Sequence, residues 1–168
     1  MPHGQQELDS IFDAHHGLVF RTAYRITGNA ADAEDVLQTV FLRLLRRGSV
    51  DMASPESYLR RAAINVALDL VRSGRHRTDI PLEDVPGLSA EQEPRELRLS
   101  LVRALARLSP REAEIFALRF FEDQTNKQIA SLLNISQVHV AVILHRARTQ
   151  IRSELKVTSQ TAAKGEIR

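Results

Sequence analysis

At 168 residues and 43% apolar, the chain can form one ordinary domain or two small ones with real cores; seven glycines, six prolines, no tryptophan and little strand-type alternation favour an all-α fold. Zero cysteines exclude disulfides, thiol catalysis and thiolate metal sites and suit a reducing cytoplasm, while no apolar run approaches the roughly 18 residues of a membrane span, so no membrane insertion of its own is expected. The formal net charge of +2 excludes little, but it is unevenly spread: −4 over residues 1–42, +5 over 43–77, −5 over 78–94 and +6 over 95–168.

Three helices are predicted before residue 78. The first covers about residues 5–27, with Leu8, Ile11, Phe12, Leu18, Val19, Ala23, Tyr24 and Ile26 apolar, Gly17 as a candidate break and Gly28 as a stop. Asn29 can cap the second. There Asp32, Glu34 and Asp35 suit the positive end of the helix dipole, and Val36, Leu37, Val40, Phe41, Leu44 and Leu45 form the core stripe. Ser54 and Pro55 open the third, in which Tyr58, Leu59, Ala62, Ala63, Val66, Leu70 and Val71 recur at three-to-four spacing. Arg60, Arg61, Asn65, Asp69 and Arg72 fall outside that stripe, and the basic run Arg72, Arg75, His76 and Arg77 closes this part.

Segment 78–94, TDIPLEDVPGLSAEQEP, holds three prolines, a glycine and no basic residue, without helical period. It reads as a flexible acidic linker between two small helical domains. It is either a soluble tether or an acidic segment that tracks a basic channel in a partner.

After the linker, Leu97, Leu101, Leu105 and Leu108 mark a fourth helix. Ser109 to Arg148 then reads as a complete helix-turn-helix, whose second helix is built for the DNA major groove. Ser109, Pro110 and Glu112 form a capping box, and Thr125 with Gln128 repeats it before a short helix carrying Ile129, Ala130, Leu132 and Leu133. Asn134, Ile135 and Ser136 supply the turn. Ser136 can cap a recognition helix in which Val140, Leu144, Ala147 and Ile151 share a buried face and Val138, Ala141, Val142 and His145 the opposite one. Beyond Lys156 the apolar period is lost, and residues 156–168 are expected to fray. The predicted domains are therefore 1–77 and 95–155, joined by 78–94.

The segment Asp32-Ala-Glu-Asp-Val-Leu-Gln-Thr-Val-Phe-Leu-Arg43 resembles region 2 of bacterial sigma factors, particularly in the small extracytoplasmic-function (ECF) group. Tyr58-Leu-Arg-Arg-Ala-Ala-Ile-Asn-Val-Ala-Leu-Asp69 resembles that group's promoter-melting helix, and Ser109 to Arg148, ending in Leu-His-Arg-Ala-Arg, resembles its C-terminal domain. The resemblance runs over roughly residues 7–155 in the family's order, with the linker in the family's place; the compact ECF type it implies is expected to carry no extra N-terminal inhibitory region. It implies binding to RNA polymerase core, reading of double-stranded promoter DNA at the −35 element and capture of the unpaired strand at the −10 element, with an anti-sigma factor as a further partner.

The resemblance assigns polymerase docking to Asp32, Glu34, Asp35, Gln38, Leu42 and Arg43. It assigns the −10 strand to Tyr58, Arg60, Arg61, Asn65, Arg72, Arg75 and Arg77, with the loop 46–54 forming much of a pocket for a flipped base. Holding extruded bases offsets an unstacking cost of a few kcal/mol each, and rings, amides and cations provide such a surface. The −35 duplex falls to Arg119, Lys127, Ser136, Gln137, His139, Ala141, Val142, His145, Arg146 and Arg148.

The chain departs from the family pattern at several positions. Thr39 stands where an acid usually follows the glutamine. Tyr58 replaces a frequent tryptophan and either stacks on bases or packs in the core; Ile64 replaces a frequent arginine and removes a possible phosphate contact. Ala141, Val142 and Ile143 stand where relatives carry Lys or Arg, Ser and Arg. The recognition face then either reads thymine methyl groups, with Gln137, His139, Arg146 and Arg148 as polar contacts, or binds a protein such as an anti-sigma factor.

Two further classes remain open. Ser109 to Val140 also resembles the DNA-binding domain of LuxR-type regulators, which leaves residues 1–77 unexplained, and a sigma-like decoy would bind polymerase or anti-sigma factor without using promoters. His3, His15, His16, His76, His139 and His145 show no metal-site spacing with acids, and there is no nucleophile set, acid–base pair or phosphate-binding glycine loop. No enzymatic activity, metal or cofactor is expected.

Overall fold

Five of the helices among the described residues begin where a side-chain oxygen accepts an orphan amide of the first turn. The computed structural model describes residues 2–48, 54–75 and 95–165; the linker 78–94, loop positions 49–53, His76 and Arg77 lie outside the described residues. Among the described residues there are seven helices and no strand: α1 (Pro2–Thr27), α2 (Ala30–Arg47), α3 (Pro55–Arg72), α4 (Arg95–Arg107), α5 (Pro110–Phe120), α6 (Asn126–Leu133) and α7 (Gln137–Gly165). Two compact units result, Met1–Val85 and Pro86–Arg168. No single helix among the described residues is long and apolar enough to cross a membrane.

In the first unit α1, α2 and α3 pack on one another. α1 runs through Gly17 without the break considered from sequence. One interior glycine costs a helix only about 1 kcal/mol. Burial of Val19, Ala23, Tyr24 and Ile26 outweighs it, at about 1.5–3 kcal/mol for each large side chain. Gly28 ends α1 at φ +74°, with its amide donating to the Tyr24 carbonyl at 2.8 Å.

Asn29 then caps α2. Its Oδ1 accepts from the Asp32 amide at 2.7 Å and its Nδ2 donates to Asp32 Oδ2 at 2.7 Å. Asp32 is consequently only 1% exposed. This corrects its placement among docking residues: the carboxylate faces inward, where it locks the start of α2.

Ser54 caps α3, with Pro55 in the first turn. Leu59, Ala63, Ile64, Val66, Ala67 and Leu68 are buried. Ile64, fully enclosed, is a core residue, so its departure from the family's arginine changes packing rather than a phosphate contact.

In the second unit α4, α5 and α6 each pack on α7. Both capping boxes form: Glu112 Oε2 accepts from the Ser109 amide at 3.3 Å, and Gln128 Oε1 accepts from the Thr125 amide at 2.8 Å. Asn134 turns the chain at φ +54°, a left-handed conformation that asparagine tolerates. Ser136 Oγ accepts from the His139 amide at 3.1 Å and so caps α7. Val140, Leu144, Ala147 and Ile151 of α7 are buried, as their spacing requires.

Ile143 joins that core at 7% exposure, so its departure from the family's arginine falls on the buried face. α7 also continues through Gly165, past the position where its apolar period lapses. Leu155, Lys156, Gln160, Ala162 and Ala163 are good helix formers, so propensity favours continuation of the helix there.

Candidate nucleic-acid and polymerase interfaces

The outer face of α2 carries an acidic start followed by an apolar strip. Glu34, Asp35, Gln38 and Arg43 are exposed, and Leu42 is 53% exposed. Leu45, assigned to the core stripe from sequence, is instead 54% exposed. The correction is geometric: positions 38, 42 and 45 are four and three apart, so Leu45 continues the outward line of Gln38 and Leu42. Two large exposed leucines in one line mark an interface more strongly than either alone. Thr39 Oγ1 donates to the Asp35 carbonyl at 2.8 Å, so the hydroxyl replacing the family's acid is folded back on its own helix.

On α3, the turn of 3.6 residues puts Tyr58, Arg61, Asn65 and Arg72 within one outward sector. Tyr58, Arg61 and Asn65 are half-buried, and Arg72 lies 3.6 Å from Asp69. Arg60 points to the other side of the helix. Its side chain is 15% exposed and its Nη2 donates to Glu56 Oε1 at 2.8 Å, which separates it from the residues it was grouped with. Tyr58 is neither wholly core nor wholly free: the Arg47 guanidinium sits 5.4 Å from its ring centroid. Arg47 falls within the loop 46–54 assigned to the flipped-base pocket, but its stacking on Tyr58, between the end of α2 and the start of α3, leaves no trace in local pattern. Arg75 is exposed, with Nε donating to Ser73 Oγ at 3.2 Å.

The second unit assembles a cationic cleft beside an apolar strip. Arg119, Thr125, Asn126, Ala141, Leu144 and Arg148 line one shallow cleft where the end of α5, the start of α6 and the outer face of α7 meet. The Arg148 guanidinium lies 4.8 Å from the Phe120 ring centroid and that of Arg119 lies 5.7 Å from it. Phe120 thus positions two cations, each contact contributing about 0.5–1 kcal/mol at an exposed site. This role escaped the sequence reading because Phe120 and Arg148 are far apart in the chain.

Lys127 is exposed on the first turn of α6. Along α7, Ser136, Gln137, Val138, His139, Ala141, Val142, His145, Arg146 and Arg148 are all exposed. Ser136 Oγ has an amide to accept from and keeps its own proton for a second contact.

The Sigma-70 region 2 family model matches residues 11–77, and the Sigma-70, region 4 model matches residues 98–151. The chain is 32% identical over 155 residues to the ECF RNA polymerase sigma factor SigL of Mycobacterium tuberculosis, covering 88% of each chain. It is 30% identical over 161 residues to the RNA polymerase sigma-E factor of Streptomyces avermitilis, covering 93% of this chain and 89% of that one. Its fold is similar to the sigma factor RpoE in a co-crystal structure with the anti-sigma factor NepR from Bartonella quintana, with a TM-score of 0.50 and 20% identity over 94% of this chain and 99% of that one. The region 2 match accounts for the N-terminal unit that a LuxR-type regulator leaves unexplained. The chain belongs to the extracytoplasmic-function group of RNA polymerase sigma factors.

Proposed function

We propose that this sigma factor docks on RNA polymerase core through the outer face of α2, captures the unpaired −10 strand along the outer sector of α3, and seats α7 in the −35 duplex. In this reading residues 1–77 and 95–155 are the two working domains and 78–94 is an acidic tether. The observation that carries it is the cleft in which Arg119 and Arg148 flank Ala141 beside the exposed face of α7. Cations that neutralise phosphates supply sequence-independent affinity, while side chains on the exposed face meet base edges.

On α3, the ring of Tyr58 offers a stacking plane, Asn65 an amide, and Arg61 and Arg72 cations for the backbone. Arg47, already stacked on Tyr58, extends that platform, since a guanidinium plane also stacks on bases. Nucleotide addition belongs to the polymerase, and the cytoplasm is where this chain would meet it. An anti-sigma factor, which the neighbouring RpoE structure contains, is a further partner in this reading.

The test adds the full chain to purified core polymerase with a genomic fragment library as template. Transcripts with defined starts, absent without the chain, are expected. A chain that does not bind core, or binds it and yields no transcript from any fragment, overturns the reading.

A further inference from the structure

Over its first turns the outer strip of α7 is apolar at its centre and polar at both borders, with His145 continuing the central line one turn further on. Val138 is 74% exposed and Val142 42% exposed, with Ala141 exposed between them. At 3.6 residues per turn, Gln137 and Arg148 fall on one border and His139 and Arg146 on the other. Ala141 also lines the cleft that holds Arg119 and Arg148.

A helix about 10–12 Å wide fills a major groove about 12 Å wide, so its borders meet the two phosphate walls and its central strip meets base edges. This arrangement matches a polyanionic duplex better than an apolar protein. A protein surface seated on the valines would have to supply an anion for the guanidiniums at their rim, whereas DNA carries its anions where these cations stand. In the groove, the apolar group on a base edge is the thymine C5-methyl. Valine and alanine offer no donor to guanine O6 and N7, and pressing them on those acceptors removes water without replacing its hydrogen bonds.

We infer that Val138, Ala141 and Val142 read thymine C5-methyl groups, making thymine the preferred base beneath the centre of this recognition helix. The inference rests on the placement of α7 in the −35 duplex proposed above. It makes these three residues determinants of promoter choice, with His145 at the same strip as a polar neighbour.

The test uses core polymerase, the full chain and the strongest promoter recovered from the genomic library. The upstream contacted duplex is resynthesised with deoxyuridine for every thymine, which deletes methyl groups and preserves pairing. Closed-complex affinity is expected to fall about three- to fivefold for each contacted methyl. Deoxyuridine placed outside the contacted duplex should have no effect. A Val138→Ser and Val142→Ser double variant, substituted at exposed positions and checked for native helicity, should lose most of the sensitivity, keeping only the share carried by Ala141.

Affinities within twofold for thymine and deoxyuridine overturn the inference, as does full sensitivity retained in the double variant. An upstream element whose centre selects guanine also overturns it. Deoxyuridine insensitivity combined with loss of a protein partner in the double variant would assign the strip to protein contact. If no promoter is transcribed, the sigma-factor placement fails first and takes the inference with it. That outcome is distinct from a working promoter indifferent to the methyl groups.

Discussion

Ala141 lines a cleft with two guanidiniums yet brings no hydrogen-bond donor of its own. A cation introduced there stands within reach of the same phosphates, and each added phosphate contact steepens the salt dependence of binding by about one unit. Ala141→Lys should therefore bind random duplex more tightly at low salt, with a steeper slope between about 50 and 200 mM salt. An unchanged slope would place Ala141 away from DNA. Arg148 and Phe120 give a complementary test. Arg148→Ala removes a charge and should flatten the slope by about one unit, whereas Phe120→Ala keeps the charge and removes only the ring that orients it. Phe120→Ala is expected to weaken binding a few-fold at constant slope. Equal slopes for the two variants would mean that Arg148 does not meet phosphate.

At the scale of the element, α2 presents two opposite faces of leucine. Leu44 is fully buried while Leu42 and Leu45 are 53% and 54% exposed. Leu44→Ala should cost about 2–5 kcal/mol through lost transfer energy and a residual cavity, read as a lowered Tm. Leu42→Ser with Leu45→Ser should leave Tm almost unchanged and weaken core polymerase binding at least about tenfold, because interface energy concentrates in a few apolar anchors. A fall in Tm without loss of core affinity would show that the strip serves the fold and not docking. The contrast also shows what could be read from sequence. Caps were legible because they are local: Asn29, Ser109 with Glu112, Thr125 with Gln128, and Ser136 each act within three residues. Leu44 and Leu45 are adjacent, and both lie close enough to the stripe for periodicity to admit them; only the placement of α1 and α3 against α2 decides between them. The same ambiguity hid the inward turn of Arg60, the burial of Asp32 and the recruitment of Ile143 to the core. Long-range contacts such as Arg148 on Phe120 had no signal in local pattern at all.

For the whole molecule, the sign of charge along the chain argues for division of labour. Segments 43–77 and 95–168 carry +5 and +6, while 78–94 carries −5 and no basic residue. Both basic segments supply the residues that the proposed function sets against nucleic acid, and on that proposal the acidic one has no compatible position on a phosphate backbone. In the proposed reading its five carboxylates would lower the attraction of the free chain for any duplex while leaving cation-to-phosphate contacts at a promoter intact, since charge repulsion in salt fades beyond about a Debye length. Neutralising Asp79, Glu83, Asp84, Glu91 and Glu93 to their amides raises the formal net charge from +2 to +7. Random-duplex binding should then strengthen several-fold at low salt and converge with the natural chain as salt rises, because the gain is a screened long-range term. Promoter affinity should rise less, so the ratio of promoter to random binding falls. Titration of both duplexes at two salt concentrations measures that ratio. A ratio that stays constant would mean that the acidic segment acts on specific and non-specific complexes alike. Loss of core polymerase affinity instead would move the segment's role from discrimination to docking, with its carboxylates meeting a basic surface of the enzyme.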